Sequence, residues 1–247
     1  MSASVSAGAA RKLVDLGWVL AGALAAAILA RTFLVQPFFI TSPSMAPILR
    51  PGDVVLVAKW AYGYRPASGF LIEHLFPQGL GRRSPARGDM VVVRSDAEGY
   101  FVKRVIGLPG DRVGMREGRV VLNGQTIGRI SAGGFPWPDG FGEARWIPAF
   151  EERLPQGRAY VALDERADGR LDTVAETPVP QGRLFLMGDH RDRSDDSRAR
   201  LGLVPMDAVV GRPLWLLRTD ERPWLWLKPW AGSLDARLNA SLETVPR

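Results

Sequence analysis

From Leu16 to Ala30 the chain carries no charged side chain, and after Arg31-Thr32 the apolar run resumes at Phe33-Leu34-Val35. As a helix, Leu16 to Val35 would measure roughly 30 Å, about one hydrocarbon thickness of a bilayer. Arg31 lies within about a turn of its end, where the side-chain stem can carry the guanidinium out to the headgroups. A cleaved secretory signal has a similar outline, with a basic start, an alanine-rich middle and small residues near its end. This run is long for one, and Ile28 would fall at the −3 position of a cut after Ala30. The pattern therefore predicts an uncleaved anchor over residues 13–35, behind a short segment 1–12 that ends in Arg11-Lys12. The amino terminus, Arg11 and Lys12 outweigh Arg31, which favours an N-inside orientation.

Past the anchor the period changes from helical to short apolar runs. Arg50-Pro51-Gly52-Asp53 is a turn followed by Val54–Val57, and Arg87-Gly88-Asp89 repeats that signal before Met90–Val93. Unbroken runs of this length read as buried strands. Tyr100–Ile106 is another, stopped by Gly107-Leu108-Pro109-Gly110-Asp111. Arg119–Leu122, Asn123-Gly124 and Gln125-Thr126-Ile127 form the strongest hairpin signal in the chain. Tyr160–Leu163 and Arg183–Met187 look like strands, and Val209-Val210-Gly211 leads into a last one at Leu214–Leu217. Residues 61–86 and 128–157 are rich in Gly, Pro and aromatics without a clean period, and read as irregular excursions. Many short strands with no long amphipathic helix beyond the anchor predict a mainly β, antiparallel fold. In the last part of the chain, Trp215, Trp224, Trp226 and Trp230 stand among leucines and prolines, a density that suits a membrane interface or a core.

At 247 residues the chain has room for one or two domains with a substantial core. Its 46% hydrophobic and 23% charged content is that of a globular protein. The absence of cysteine excludes disulfides and thiolate–metal sites. The net charge of +6 comes from arginines scattered along the whole length. No basic block with interleaved aromatics marks a nucleic-acid patch, and an anionic membrane surface suits such charge equally well.

Three stretches offer chemistry. In Ser42-Pro43-Ser44 an extended backbone would put both hydroxyls on one face, with Ile40 and Met45 as apolar flanks and Pro47 against helix. Phe101, Lys103 and Val105 would share one face of a strand, setting an amine in an apolar row. Gly188–Arg198 packs four aspartates and three arginines into eleven residues, which could be no more than a solvated, salt-bridged loop. His190-Arg191-Asp192 imitates a kinase catalytic loop, but Ser197 stands where Asn is required. Counted from Asp192, an EF-hand would need Gly and Glu where Ser197 and Leu203 stand. A serine–histidine triad could draw only on His74 or His190, neither with a better claim than Lys103.

Four boxes, Ser42–Pro47, Arg87–Val92, Lys103–Asp111 and Gly188–Arg198, resemble in order those of the type I signal peptidases. These are membrane-anchored serine–lysine proteases, and the likeness runs over roughly residues 16 to 217. The resemblance implies Ser44 as nucleophile and Lys103 as its general base. It implies an oxyanion hole built from the Ser42 hydroxyl and the Ser44 N–H. Ser194 would orient the lysine, and Asp196 with Arg198 would support the site. Phe38, Ile40, Met45, Leu49 and Val102 match positions lining shallow apolar pockets for small signal-peptide residues. His190 and Arg193 depart from the asparagines usual in the last box, and one extra residue lies between Arg198 and Gly202.

The implied fold is an antiparallel β catalytic core, residues 36–112 and 184–217, with an inserted β subdomain at 113–183 and a Trp-rich tail at 218–247. The implied activity is removal of signal peptides after Ala-x-Ala-like sites. The enzyme would sit in the bacterial cytoplasmic membrane as a single-pass protein, catalytic domain on the extracytoplasmic side. Its partners would be preproteins, membrane lipid and the translocation channel, with no cofactor, metal or nucleic acid. Two other readings are a self-cleaving serine–lysine repressor, which needs a DNA-binding domain where the apolar run stands, and an inactive anchored β binding module. An ordinary lysine has a pKa near 10.4, so only about one in a few thousand is neutral at pH 7. A working base should sit nearer about 7–8, a change of roughly 3.5–4 kcal/mol that burial is able to supply.

Overall fold

The computed structural model describes residues 2–95, 99–138, 144–155, 159–166 and 168–217. Helix α1 (Ser2–Leu29) carries the apolar run, and none of the span Arg11–Leu34 is buried against the rest of the protein. It is the one helix among the described residues long and apolar enough to cross a membrane. The helix ends earlier than the pattern predicts. A π-helical turn at Ala30–Leu34 takes over, and Val35, expected as the end of the anchor, opens strand β1 (Val35–Phe39).

The remaining strands are β2 (Val54–Ala58), β3 (Met90–Ser95), β4 (Gly99–Gly107), β5 (Arg112–Arg116), β6 (Arg119–Leu122) and β7 (Gln125–Thr126). They continue with β8 (Gly128–Pro138), β9 (Ala144–Arg153), β10 (Ala159–Leu163), β11 (Val174–Pro178), β12 (Arg183–Met187), β13 (Val204–Pro205) and β14 (Val209–Leu217). Seven form one sheet in the order β1-β2-β14-β3-β4-β12-β13, and every strand pair is antiparallel. Val55, Val57, Val92 and Val210 pack on one face with Ile40, Met45, Ile48 and Leu49. Val91, Val93, Val105, Leu184 and Leu186 pack on the other. Both faces are covered, so neighbouring positions are both apolar and these strands read as unbroken runs.

Between β4 and β12 the chain builds two smaller antiparallel sheets, β11-β5-β6-β7 and β10-β9-β8. The β6–β7 hairpin turns on Asn123 and Gly124 with φ of 53° and 79°, the two left-handed positions that a tight hairpin of matching twist demands. The stretch read as irregular at 128–157 holds instead the long β8–β9 pair. Glycines and prolines hid it. Pro136 and Pro138 lie on the sheet's edge strand, where no ladder donor is lost, and Pro148 lies opposite Gly134 at a bulge. The 61–86 excursion contains a one-and-a-half-turn helix, α2 (Phe70–Leu75). Trp224, Trp226 and Trp230 of the tail lie outside the described residues.

The loop after β12 is tied to β4 by a buried ion pair. Arg104 donates from Nε and NH2 to the two Asp189 oxygens at 2.7 and 2.6 Å, and from NH1 to the Gly88 carbonyl at 2.7 Å. Its guanidinium also lies 4.4 Å from the Tyr160 ring centroid. Breaking such a pair on one side leaves an uncompensated buried charge, a loss of about 3–5 kcal/mol. Asp189→Asn is therefore expected to lower the urea midpoint of the detergent-solubilised protein by a corresponding amount, measured by tryptophan fluorescence. A midpoint equal to wild type would remove this pair from the account of how the loop is held.

Candidate active site

The serine segment connects β1 to β2 and is closed at its base by Ile40 N–H to Asp53 O and Gly52 N–H to Ile40 O, both 2.8 Å. It is not extended through both serines, as the sequence suggests. Ser42 has extended dihedrals, but Pro43–Met45 form a 3-10 turn with Ser42 as its N-cap. The Ser44 N–H donates to Ser42 Oγ at 3.2 Å, so the two groups expected to face a substrate oxyanion are bonded to each other here. The Ala46–Pro47 peptide is cis. The Ser44 carbonyl accepts from the His190 N–H at 3.0 Å, which fastens the serine turn to the 188–198 loop.

Lys103 stands in the middle of β4, opposite Val91 of β3. The residue is 3% exposed, and its Nζ donates to Ser194 Oγ at 2.9 Å. Burial pushes its pKa below the ordinary lysine value. The Asp196 carboxylate pulls the other way, and the Arg198 guanidinium offsets that pull. Asp196 and Arg198 form a bidentate pair, Nε to Oδ1 and NH2 to Oδ2, each 2.9 Å, and Asp196 also accepts from the Gly188 N–H at 3.0 Å. Burial alone would raise the Asp196 carboxyl. Arg198, the Gly188 N–H and a hydrogen bond from the Ser194 hydroxyl hold it below the usual range. The Ser194 proton is thus turned to Asp196 and its lone pair to Lys103, which fixes the direction in which the amine can point.

Ser44 and Lys103 line one cavity of about 240 Å³, together with Ser42, Ile40, Met45 and Val102. No hydrogen bond joins the Ser44 hydroxyl to Nζ among the described residues, and such bonds commonly tighten only when substrate is present. Two of the positions assigned to substrate lie elsewhere. Leu49 is fully buried in the cluster behind Ile40 and Met45 and does not reach the cavity. Phe38 packs against the same cluster, edge-on to Tyr100 at 5.0 Å between centroids. The next residue, Phe39, lines the cavity instead, along with Thr41, Tyr100, Phe101 and Asp195. Phe39 and Tyr100 were open to detection as aromatic residues that end up substantially exposed beside the two boxes.

Gly188 explains how closely the pieces meet. A methyl group there would overlap both Ser194 Oγ and the Ser44 carbonyl oxygen, so only glycine lets the two segments touch. Further out, Arg198 NH2 donates to the Arg191 carbonyl at 2.8 Å, and Arg191 pairs with the buried Glu152 of β9, which accepts from the Tyr160 hydroxyl at 2.7 Å. Neither histidine joins the cavity. His190 is buried against the edge of Trp137 and near Glu165, and burial first of all pushes its pKa down to about 4. His74 sits on α2. No cluster of metal-ligating side chains occurs among the described residues.

A model of the family described as signal peptidase, peptidase S26, matches residues 13–217. Signal peptidase I of Rickettsia typhi is 31% identical over 229 residues, which cover 84% of this chain and 85% of that protein. Signal peptidase I of Rickettsia akari is 31% identical over 243 residues, 90% and 89% of the two chains. The crystal structure of a signal peptidase I from Enterococcus faecalis V583 is 25% identical, covers 53% of this chain and 97% of its own, and superposes with a TM-score of 0.31. On the family match and these relatives, the chain belongs to the signal peptidase I family of S26 serine endopeptidases, which remove signal peptides.

Proposed function

We propose that Ser44 is the nucleophile of this signal peptidase and Lys103 its general base. The observation that carries the reading is the buried lysine amine, lowered in pKa, held by Ser194 and sharing a cavity with Ser44. Ser44 Oγ bonds to the scissile carbonyl carbon as its proton passes to Nζ, and the same proton then goes to the leaving amine as the C–N bond breaks. Water, deprotonated in turn by Lys103, releases the acyl group and restores the serine. Ser194 serves this cycle by accepting an N–H of the neutral amine, which leaves the nitrogen lone pair for the serine proton. As negative charge develops on the carbonyl oxygen, the Ser44 N–H exchanges Ser42 Oγ for that oxygen, and the Ser42 hydroxyl turns to donate.

Ile40, Met45 and Val102, with Phe39 and Tyr100 at the rim, make walls suited to small apolar side chains. Residues 36–112 with 184–217 act as the catalytic core and 113–183 as an insertion that buttresses it through Glu152 and Tyr160. In this reading α1 crosses the bacterial cytoplasmic membrane with its N-terminus inside, and the β core works on the extracytoplasmic side. Membrane lipid supports it there, and preproteins reach it from the translocation channel. Anchoring enzyme and substrate in one bilayer raises their effective concentration without any new contact.

The test is cleavage of a signal-peptide substrate by the purified full-length protein, with Ser44→Ala as the inactive control; activity in that variant would remove Ser44 from the mechanism. The cavity walls predict cleavage after Ala-x-Ala-like sequences, read from product mass, and rejection of large residues at −1. Efficient cleavage after Phe or Arg at −1 would sink the pocket assignment. Only the neutral amine accepts a proton, and Lys103 is shifted down, so kcat/KM should rise with pH through a midpoint below the ordinary lysine value. Lys103→Arg should be inactive, because arginine stays protonated throughout that range. Near-normal turnover by Lys103→Arg would require a different base.

A further inference from the structure

A second buried lysine lies at the foot of the anchor. Lys59 follows directly on β2 and opens the 3-10 turn Lys59–Tyr62. The residue is 3% exposed, and among the described residues no hydrogen bond or ion pair reaches its amine. The register that pairs Val35 with Ala58 sets Lys59 level with Leu34, where the apolar span ends. The π-helical turn Ala30–Leu34 packs on this 3-10 turn and on α2. From that turn comes Arg31, another cation. Burial and then the Arg31 charge bring the Lys59 pKa down to about 8.

Carboxylates on the neighbouring elements do not neutralise the pair. Glu73 of α2 faces Arg94 at 3.6 Å, and Asp207 is taken by Arg65 and Arg82. Gly69, next to α2, stands over the lysine: a Cβ there would lie 3.5 Å from Nζ, so no side chain covers the amine from that side. Around the two cations Leu34, Trp60, Leu71 and Leu75 are exposed. A buried ammonium without a partner is costly, and an anion that supplies charge and oxygen acceptors relieves that cost. At this depth the available anion is a lipid phosphate, with exposed apolar side chains placed to meet acyl chains.

We propose that Lys59 and Arg31 form a headgroup site for an anionic phospholipid whose acyl chains lie beside α1. The proposal rests on the reading of α1 as a membrane anchor. Two cations whose neighbouring carboxylates, among the described residues, are taken by other arginines select a headgroup of net negative charge over a zwitterionic one, which carries its own cation.

The experiment places the full-length protein in nanodiscs of phosphatidylcholine and phosphatidylglycerol, then strips lipid with mild detergent and counts what remains bound by native mass spectrometry. Wild type should keep a phosphatidylglycerol molecule. Lys59→Met should hold it about tenfold more weakly, the scale of one hydrogen bond to a charged group. Lys59→Arg, which keeps the charge, should retain it, and melting curves of both variants establish that each is folded. Equal retention by Lys59→Met, or equal retention of phosphatidylcholine, would overturn the site. Displacement of the lipid by millimolar inorganic phosphate would overturn the lipid reading in favour of a free phosphate. Failure of the protein to enter nanodiscs would instead overturn the anchor, and the site with it.

Discussion

A primary amine acts as a base near neutral pH only where its ammonium form has been made costly, and the surroundings of Lys103 bear on that balance. The lysine sits mid-strand in a sheet covered on both faces, so water is removed from around it without any special device. A carboxylate in direct contact with the amine would restore the charge. Asp196 is the carboxylate close enough to do so. It is committed to Arg198 and the Gly188 N–H, and the Ser194 hydroxyl stands as the bridge between it and the amine. The ion pair thus acts on the lysine by restraint. Removing Arg198 would free Asp196 to stabilise the ammonium.

The rest of the polar interior reads as support for this arrangement. Arg104–Asp189 binds the start of the 188–198 loop to the lysine's own strand. Arg191, itself held by Arg198, binds the loop to Glu152 and Tyr160 of the three-stranded sheet. These are expensive groups to bury, and their partners come from four separate stretches of chain, so the loop's position depends on the whole β architecture being in place. Gly188 completes the device, since the absence of a side chain there is what allows the Ser44 turn and Ser194 to meet.

How much of this was legible in the sequence follows from the physics of each part. The sheet was legible at Val54–Val57, Met90–Val93 and Arg183–Met187, because strands buried on both faces become unbroken apolar runs. The β8–β9 pair was not, because an edge strand with a bulge tolerates the glycines and prolines that otherwise signal loops. The serine and lysine boxes could be recognised as motifs, but the 91-residue separation between Lys103 and Ser194 is closed only by strand pairing, which no local pattern records. Leu49 and Phe38 were carried to the cavity by position in a motif. The chain after the Ser44 turn runs Leu49 into the core, and the alternation of β1 sets Phe38 against that core and Phe39 at the rim. Lys59 was invisible for a related reason: a lysine at the end of an apolar strand ordinarily reaches solvent, and here the 3-10 turn that it opens is packed against both β14 and the π-helical turn.

The central claim is that the fold makes Lys103 a base, and direct titration of that one amine tests it. In Ser44→Ala protein with isotope-labelled lysine, the Lys103 side-chain resonances can be followed by NMR as pH is raised, with Lys103→Met providing the assignment. The account predicts a midpoint clearly below about 10.4, the value of a free lysine, and one that moves upward when Arg198→Met releases Asp196. A Lys103 amine that titrates at the ordinary lysine value in the folded protein would contradict it.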